Sequence, residues 1–281
     1  MIVARAMALI AALLAFTLSF APAVSAPAPA IGRFALDRAP AQGVYALGRV
    51  PAGTRRLTID GREVAFAPDG RFGVGYGRDY GAKTRIVATL ANGEAVVEEL
   101  GVAPWAWRIE SLPTLPRRSQ PSAEFERRRA VELAEINAAR RIASDSQGWR
   151  QRFIWPARGR ISGLFGSQRI YAGQPGAPHS GVDVAGGAGA AVVAPADGVV
   201  ILAARWPFTL EGNLLMIDHG MGLNSAFLHL SRIDVAQGQR VSQGQRIGAI
   251  GATGRATGPH LHWGMKWQDE RIDPQRLAGP M

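Results

Sequence analysis

The chain has 281 residues, 47% hydrophobic and 19% charged, which suits one large or two ordinary folded domains and excludes an intrinsically disordered polymer. It contains no cysteine, so neither a disulfide framework nor a lipoprotein anchor is expected. The net charge of +10 is carried almost wholly by arginine, the only lysines being Lys83 and Lys266. That balance suits an anionic partner such as nucleic acid, a membrane surface or an acidic wall polymer, and charge alone does not choose among them.

In chain order, the opening "MIVARAMALIAALLAFTLSFAPAVSAPAPA" places one positive charge at Arg5 before an apolar run from Ala6 to Phe20, then small residues and prolines. This is the layout of a secretory signal peptide spanning residues 1–26. Val24 and Ala26 fit the cleavage rule, Pro27 is an awkward neighbour, and the cut falls between residues 23 and 30. Export, to the periplasm, is the expectation; an uncleaved membrane anchor is the alternative. Residues 31–112 carry short alternating runs around Asp60-Gly61, Asp69-Gly70 and Asn92-Gly93, which predicts a small antiparallel β-sandwich built on hairpins. Trp105 and Trp107 fit core or interdomain packing better than an aromatic binding shelf.

Pro113, Pro116 and Pro121 mark a linker within residues 113–150. A helix is predicted after it, capped by Ser122, with Phe125, Val131, Ile136 and Ile142 at roughly helical spacing. Residues 151–281 turn to Gly, Val and Ile in short strands. All five histidines, His179, His219, His229, His260 and His262, fall in this last region, which marks it as the seat of chemistry. The predicted fold is thus mainly β: an accessory sandwich, a helical linker and a C-terminal antiparallel sheet.

"PHSGVD" sets His179 and Asp183 four residues apart, about 13 Å on a straight strand, so a kink at Gly181 is needed to bring them together. "TGPHLHWG" sets His260 and His262 two apart, on one face of a strand. Two imidazoles and a carboxylate form a nitrogen–nitrogen–oxygen set suited to zinc with one open position. Which of His260 and His262 would hold the metal is open on spacing alone. In "SAFLHLS", alternation puts His229 with Phe227, making it a candidate to join the polar face of the pair; His219, ending "LMIDHG", reads as structural. There is no HExxH helix to supply a glutamate base, so spare histidines would have to orient water and move protons.

Taken in order, "HSGVDVAGGAGAAVVAPADGVV", "GNLLMIDHG", "SAFLHLS" and "VSQGQRIGAIGATGRATGPHLHWG" resemble the lysostaphin/LytM-type zinc endopeptidases, over roughly residues 153–276. The resemblance implies Zn2+ as cofactor, His179, Asp183 and His262 as ligands, and His229 and His260 as catalytic residues acting on the water and the transition state. It implies peptidoglycan cross-links as the substrate, no nucleic-acid partner, and no membrane span once the signal is removed. Phe227 departs from a common tyrosine, and Trp263-Gly264 from a common Phe-Glu, without removing a ligand. A biotinyl or lipoyl carrier is excluded because no lysine stands on a hairpin tip. The rival reading is a non-catalytic wall-binding activator of another hydrolase.

Overall fold

A computed structural model describes residues 32–115 and 121–281. The expected signal segment, Ile31 and Pro116 lie outside the described residues. Among those described, no helix is long and apolar enough to cross a membrane. The architecture is mainly β, as the alternation requires, and the strands of the C-terminal region pair antiparallel with one another.

Two sheets form the N-terminal part. Tyr45–Arg49 pairs with Arg71–Gly75, while Arg62–Glu63, Thr54–Ile59, Lys83–Leu90 and Ala95–Gly101 lie in that order across a second sheet. Asp60 and Gly61 both adopt positive φ, 49° and 78°, in the two-residue turn between Ile59 and Arg62. Asn92-Gly93 closes the next hairpin, with the Gly93 amide donating to the Leu90 carbonyl. Asp69-Gly70 departs from expectation. It turns the chain into Arg71–Gly75, but that strand pairs back with Tyr45–Arg49 rather than with its sequence neighbour. Phe72 and Val74 thereby enter the same core as Phe34, Leu57 and Ile86.

That core is continuous with the C-terminal one. Gly75 lies so close to the C-terminal sheet that a Cβ there would sit 3.0 Å from the Trp267 Cβ. Ile109–Leu112 pairs in parallel with Gln168–Tyr171, stitching the two parts together. Trp107 also bridges them, edge-on to Phe165 at 5.5 Å with its Nε1–H donating to the Arg78 carbonyl at 3.1 Å. Trp105 does not follow the packing expectation: it is 53% exposed, with the Arg276 guanidinium over its ring.

The helix spans Ala123–Arg140, and Ser122 caps it by accepting from the Phe125 amide at 3.1 Å. Its buried face is not the expected apolar stripe. Val131 is exposed and Ile142 lies beyond the helix end; the buried residues are Glu132, Ile136 and Ala139. The spacings between the four apolar residues drift around the helix, so one stripe never forms. A polar anchor takes its place. Glu132 accepts from the Thr209 amide at 2.6 Å and from the Thr209 hydroxyl, while Arg129 forks onto Glu211 at 2.6 and 2.7 Å.

The central sheet runs Arg240–Val241, Gly198–Ala203, Asn213–Asp218, Leu223–Leu230, Leu261–Trp267, Gly181–Ala185 and Arg160–Gly163, with Glu270–Ile272 added beside Leu261–Trp267. A smaller sheet of Ala191–Val193, Arg246–Ala249 and Arg232–Ile233 accompanies it. Alternation gives the central sheet two different faces. Leu215, Ile217, Phe227, Leu261 and Trp263 fill the main core. Leu214, Met216, Ala226 and Leu228 face the other way, under Ile136 and Ala139 of the helix. This second face continues into His262, Gly264 and Lys266, so the helix forms a wall of the groove above them.

Candidate active site

Asp183 and His262 are registered neighbours on adjacent antiparallel strands, which places carboxylate and imidazole on the groove face without any loop. His262 Nδ1 lies 2.9 Å from Asp183 Oδ1. His179 comes from the segment just before Gly181–Ala185; its Nε2 lies 3.2 Å from Asp183 Oδ1 and 3.1 Å from His262 Nδ1. Gly181 opens the strand without a positive φ, and His179, in the irregular segment before it, still folds back onto Asp183 as expected. The use of Gly181 is close approach: a Cβ there would meet the Trp263 carbonyl oxygen at 2.3 Å and His262 Nε2 at 2.7 Å. Gly163 serves the carboxylate in the same way, since a Cβ would fall 2.3 Å from Asp183 Oδ2.

His260 enters at the edge of the cluster, with Nε2 3.9 Å from Asp183 Oδ1 and Nδ1 donating to the Gly258 carbonyl at 2.8 Å. His229 packs against it, ring centroids 4.7 Å apart, and donates from Nδ1 to the Thr253 carbonyl at 2.8 Å. The expected route for His229 is corrected. Phe227 pairs with Trp263 on the core face, whereas Leu228 pairs with His262 on the groove face. Plain alternation would therefore send His229 into the core. A φ of +63° at His229 breaks the alternation and turns its ring toward His260. Such a conformation costs about 1–3 kcal/mol in a non-glycine residue and persists where its surroundings enforce it.

His219 stays apart, fully buried, donating to the Asp197 carbonyl and accepting from Ser225, each at 2.8 Å. Burial pushes its pKa down to about 4. It is the structural histidine that its place before a glycine turn predicted.

The electrostatics set His179, Asp183 and His262 apart as a donor set. Burial disfavours the Asp183 charge, but hydrogen bonds from His179 and His262 outweigh it and hold the carboxyl well below the usual range. Burial also opposes a charge on His179, yet the Asp183 carboxylate and the Leu164 carbonyl raise its pKa overall. His262 is lowered, chiefly by burial. His229 is pushed by burial to about 4 and is neutral near pH 7. With His179 Nδ1 donating to the Leu164 carbonyl at 3.0 Å, its Nε2 donates to Asp183 only while the ring carries a second proton, and loss of that proton frees a lone pair aimed at the same point. Three donor atoms thus converge within 4.8 Å, an arrangement that needs a shared proton or cation to be stable. Two nitrogens and a hard oxygen fit zinc.

The sequence reading missed the groups that aim the rings: the carbonyls of Leu164, Thr253 and Gly258. Backbone acceptors carry no residue signature, although the glycines flanking Thr253 mark its loop as tight. Two hollows lie beside the cluster and share Ser180 and Arg271 in their walls. A cleft of about 690 Å³ runs between the N-terminal sheets and the central sheet, past Tyr80, His179, Ser180 and Arg271. A smaller cavity of about 80 Å³ lies over His262 and also touches Ser180 and Arg271.

Residues 177–274 match the family model described as Peptidase family M23. The chain is 39% identical over 132 residues to the peptidoglycan DD-endopeptidase ShyA of Vibrio cholerae and 40% identical over 104 residues to ShyB of the same organism. Those alignments cover 47% and 37% of this chain and only 30% and 24% of the two relatives, so the chain spans less than a third of their length. A solved structure of a proposed M23 peptidase from Pseudomonas aeruginosa is similar over 87% of this chain and 97% of its own, at 31% identity and a TM-score of 0.67. With fold, motif order and a near full-length relative in agreement, the chain belongs to peptidase family M23.

Proposed function

We propose that this protein is a zinc-dependent endopeptidase that hydrolyses the peptide cross-links of bacterial peptidoglycan. The observation that carries the reading is the converging set of His179, Asp183 and His262, with His229 and His260 packed beside it and hollows reaching the set at His179 and at His262. His179 Nε2, Asp183 Oδ1 and His262 Nδ1 would hold the metal. When bound, zinc supplies a Lewis acid that polarises a carbonyl and brings the pKa of water to about 7. His229 and His260 each donate from Nδ1 to a carbonyl, which leaves each Nε2 with a lone pair for proton transfer. One takes the proton of the attacking water. The other, once protonated, donates to the tetrahedral oxyanion or to the departing amine. The groove strands orient an extended peptide across the cluster, and the helix wall excludes water from one side.

Residues 151–281 are the catalytic unit in this reading, and the preceding β region forms the far wall of the larger cleft, restricting what enters. Export to the periplasm follows from the amino-terminal pattern and from the substrate. ShyA and ShyB are peptidoglycan DD-endopeptidases by name, which supports wall cross-links as the target. The test is mass analysis of muropeptides after purified sacculi are digested with the zinc-loaded protein. Loss of cross-linked dimers with matching gain of monomers is expected. Intact dimers alongside released amino sugars would replace the peptidase reading by a glycan-cleaving one.

A further inference from the structure

The groove contains three cations that neither ligation nor proton transfer uses. Lys266 lies on the same face of Leu261–Trp267 as His262, about 13 Å along the strand. Arg271 is the registered neighbour of Lys266 on Glu270–Ile272. Arg140, in the last turn of the helix, overhangs the same floor, and all three line the small cavity with Ser180, Gly264 and His262. Gly264 keeps the floor between them and the histidine cluster free of side chains.

Among the described residues these charges are poorly compensated. Arg140 Nε is buried with no hydrogen-bond partner. Glu211, the carboxylate that acts on Arg140, is already committed to the fork from Arg129. Lys266 has only Asp269, 3.4 Å away and 81% exposed. Burial lowers the pKa of Arg140, and the Arg271 charge lowers it further; burial does the same to Lys266, with Arg140 and Arg271 adding to the shift. Mutual repulsion of this kind costs stability in the free protein and is relieved when an anion enters. Two guanidinium groups offer planar forks that match a carboxylate.

We propose that Arg140, Lys266 and Arg271 form a carboxylate-binding subsite of the groove, which seats a free carboxylate of the peptide stem and so fixes the register of the scissile bond. This deepens the peptidoglycan reading and rests on it. Wall stems carry free carboxylates within a few residues of each cross-link. The span of about 13 Å between His262 and Lys266 equals roughly four extended residues, and the long side chains of the three cations shorten it. Two carboxylates share the required chemistry, that of diaminopimelate and that of a terminal D-alanine.

The experiment uses the full zinc-loaded chain and three synthetic cross-linked peptide dimers. One is fully acidic, one is a carboxamide at diaminopimelate, and one is a carboxamide at the terminal D-alanine. With wild type, kcat/KM is expected to fall about 10- to 100-fold on one carboxamide dimer, identifying the carboxylate that is read. Arg271→Gln and Lys266→Met should show a comparable loss on the acidic dimer, little further loss on that carboxamide, and unchanged zinc content. Equal losses on acid and amide in the variants, or indifference of wild type to both amidations, would overturn the subsite. If wild type cleaves no dimer, the function proposed above fails, and binding of the uncleaved dimers still decides the subsite. Tighter binding of the acid, abolished by Arg271→Gln, would retain it; equal binding of all three would overturn it.

Discussion

Replacing Glu132 by alanine tests whether the helix is held in the groove wall by a buried carboxylate rather than by an apolar stripe. The side chain is 5% exposed and accepts from both the amide and the hydroxyl of Thr209. Arg129 keeps its fork to Glu211, so no buried cation is stranded. The loss is therefore charge-assisted hydrogen bonding plus one orphaned amide, together about 3 kcal/mol. For a chain of this size each kcal/mol moves Tm by roughly 2–4 °C, so a drop of about 6–12 °C is expected by scanning calorimetry. Function should follow. The Glu211 carbonyl accepts from the His229 amide at 2.8 Å, so disturbing the 209–211 segment loosens the backbone that holds His229 in its positive-φ conformation. Turnover should fall while zinc content stays intact, because no ligand is touched. Val131→Ser, on the exposed side of the same helix, is the control and should move Tm by less than about 1 °C. A Glu132→Ala protein with the Tm and turnover of wild type would refute this account of helix docking.

Gly163→Ala places a methyl group 2.3 Å from Asp183 Oδ2, so the carboxylate must move; zinc affinity by competition with a chelator should drop about 10- to 100-fold with little change in Tm. His219 contributes a pH-dependent stability. Its folded pKa of about 4 lies below the unfolded value of about 6.5, so the unfolded chain binds the extra proton and stability is lost as pH falls from about 6.5 to 4. The full difference is about 3 kcal/mol, and His219→Gln should flatten that part of the Tm-versus-pH curve; an unchanged slope would place the titration elsewhere.

How much the sequence disclosed depended on whether a feature was carried by side-chain type or by backbone geometry. The segregation of histidines, the HxxxD and HxH spacings and the Asp-Gly and Asn-Gly turns are residue-type signals, and His179, Asp183, His260 and His262 do meet in space. The place of His229 was read for the wrong reason, because alternation along "SAFLHLS" points it into the core and only its φ of +63° reverses that. Gly181 was read only as permitting a kink; its close approach to Trp263 was not legible, because it depends on the register of a strand distant in sequence. The helix face was misjudged because a buried Glu132 with a distant partner at Thr209 leaves no periodic pattern. The cations of the groove were invisible for a similar reason: Arg140, Lys266 and Arg271 are scattered in sequence and ordinary in type, and only the sheet register and the docked helix bring them together.

The most direct test of the central claim is zinc stoichiometry, measured on the purified full chain and on its His179→Ala, Asp183→Ala, His262→Ala, His229→Ala and His260→Ala variants. Each of the first three removes one of three proposed ligands, so bound zinc should fall from about one per chain to near zero. His229→Ala and His260→Ala should keep most of the metal while turnover on sacculi falls about 10²- to 10⁴-fold, as expected for lost proton transfer. Zinc lost from His260→Ala but retained by His262→Ala would contradict the assignment within the His-Leu-His segment, and zinc retained by all five variants would contradict the site itself.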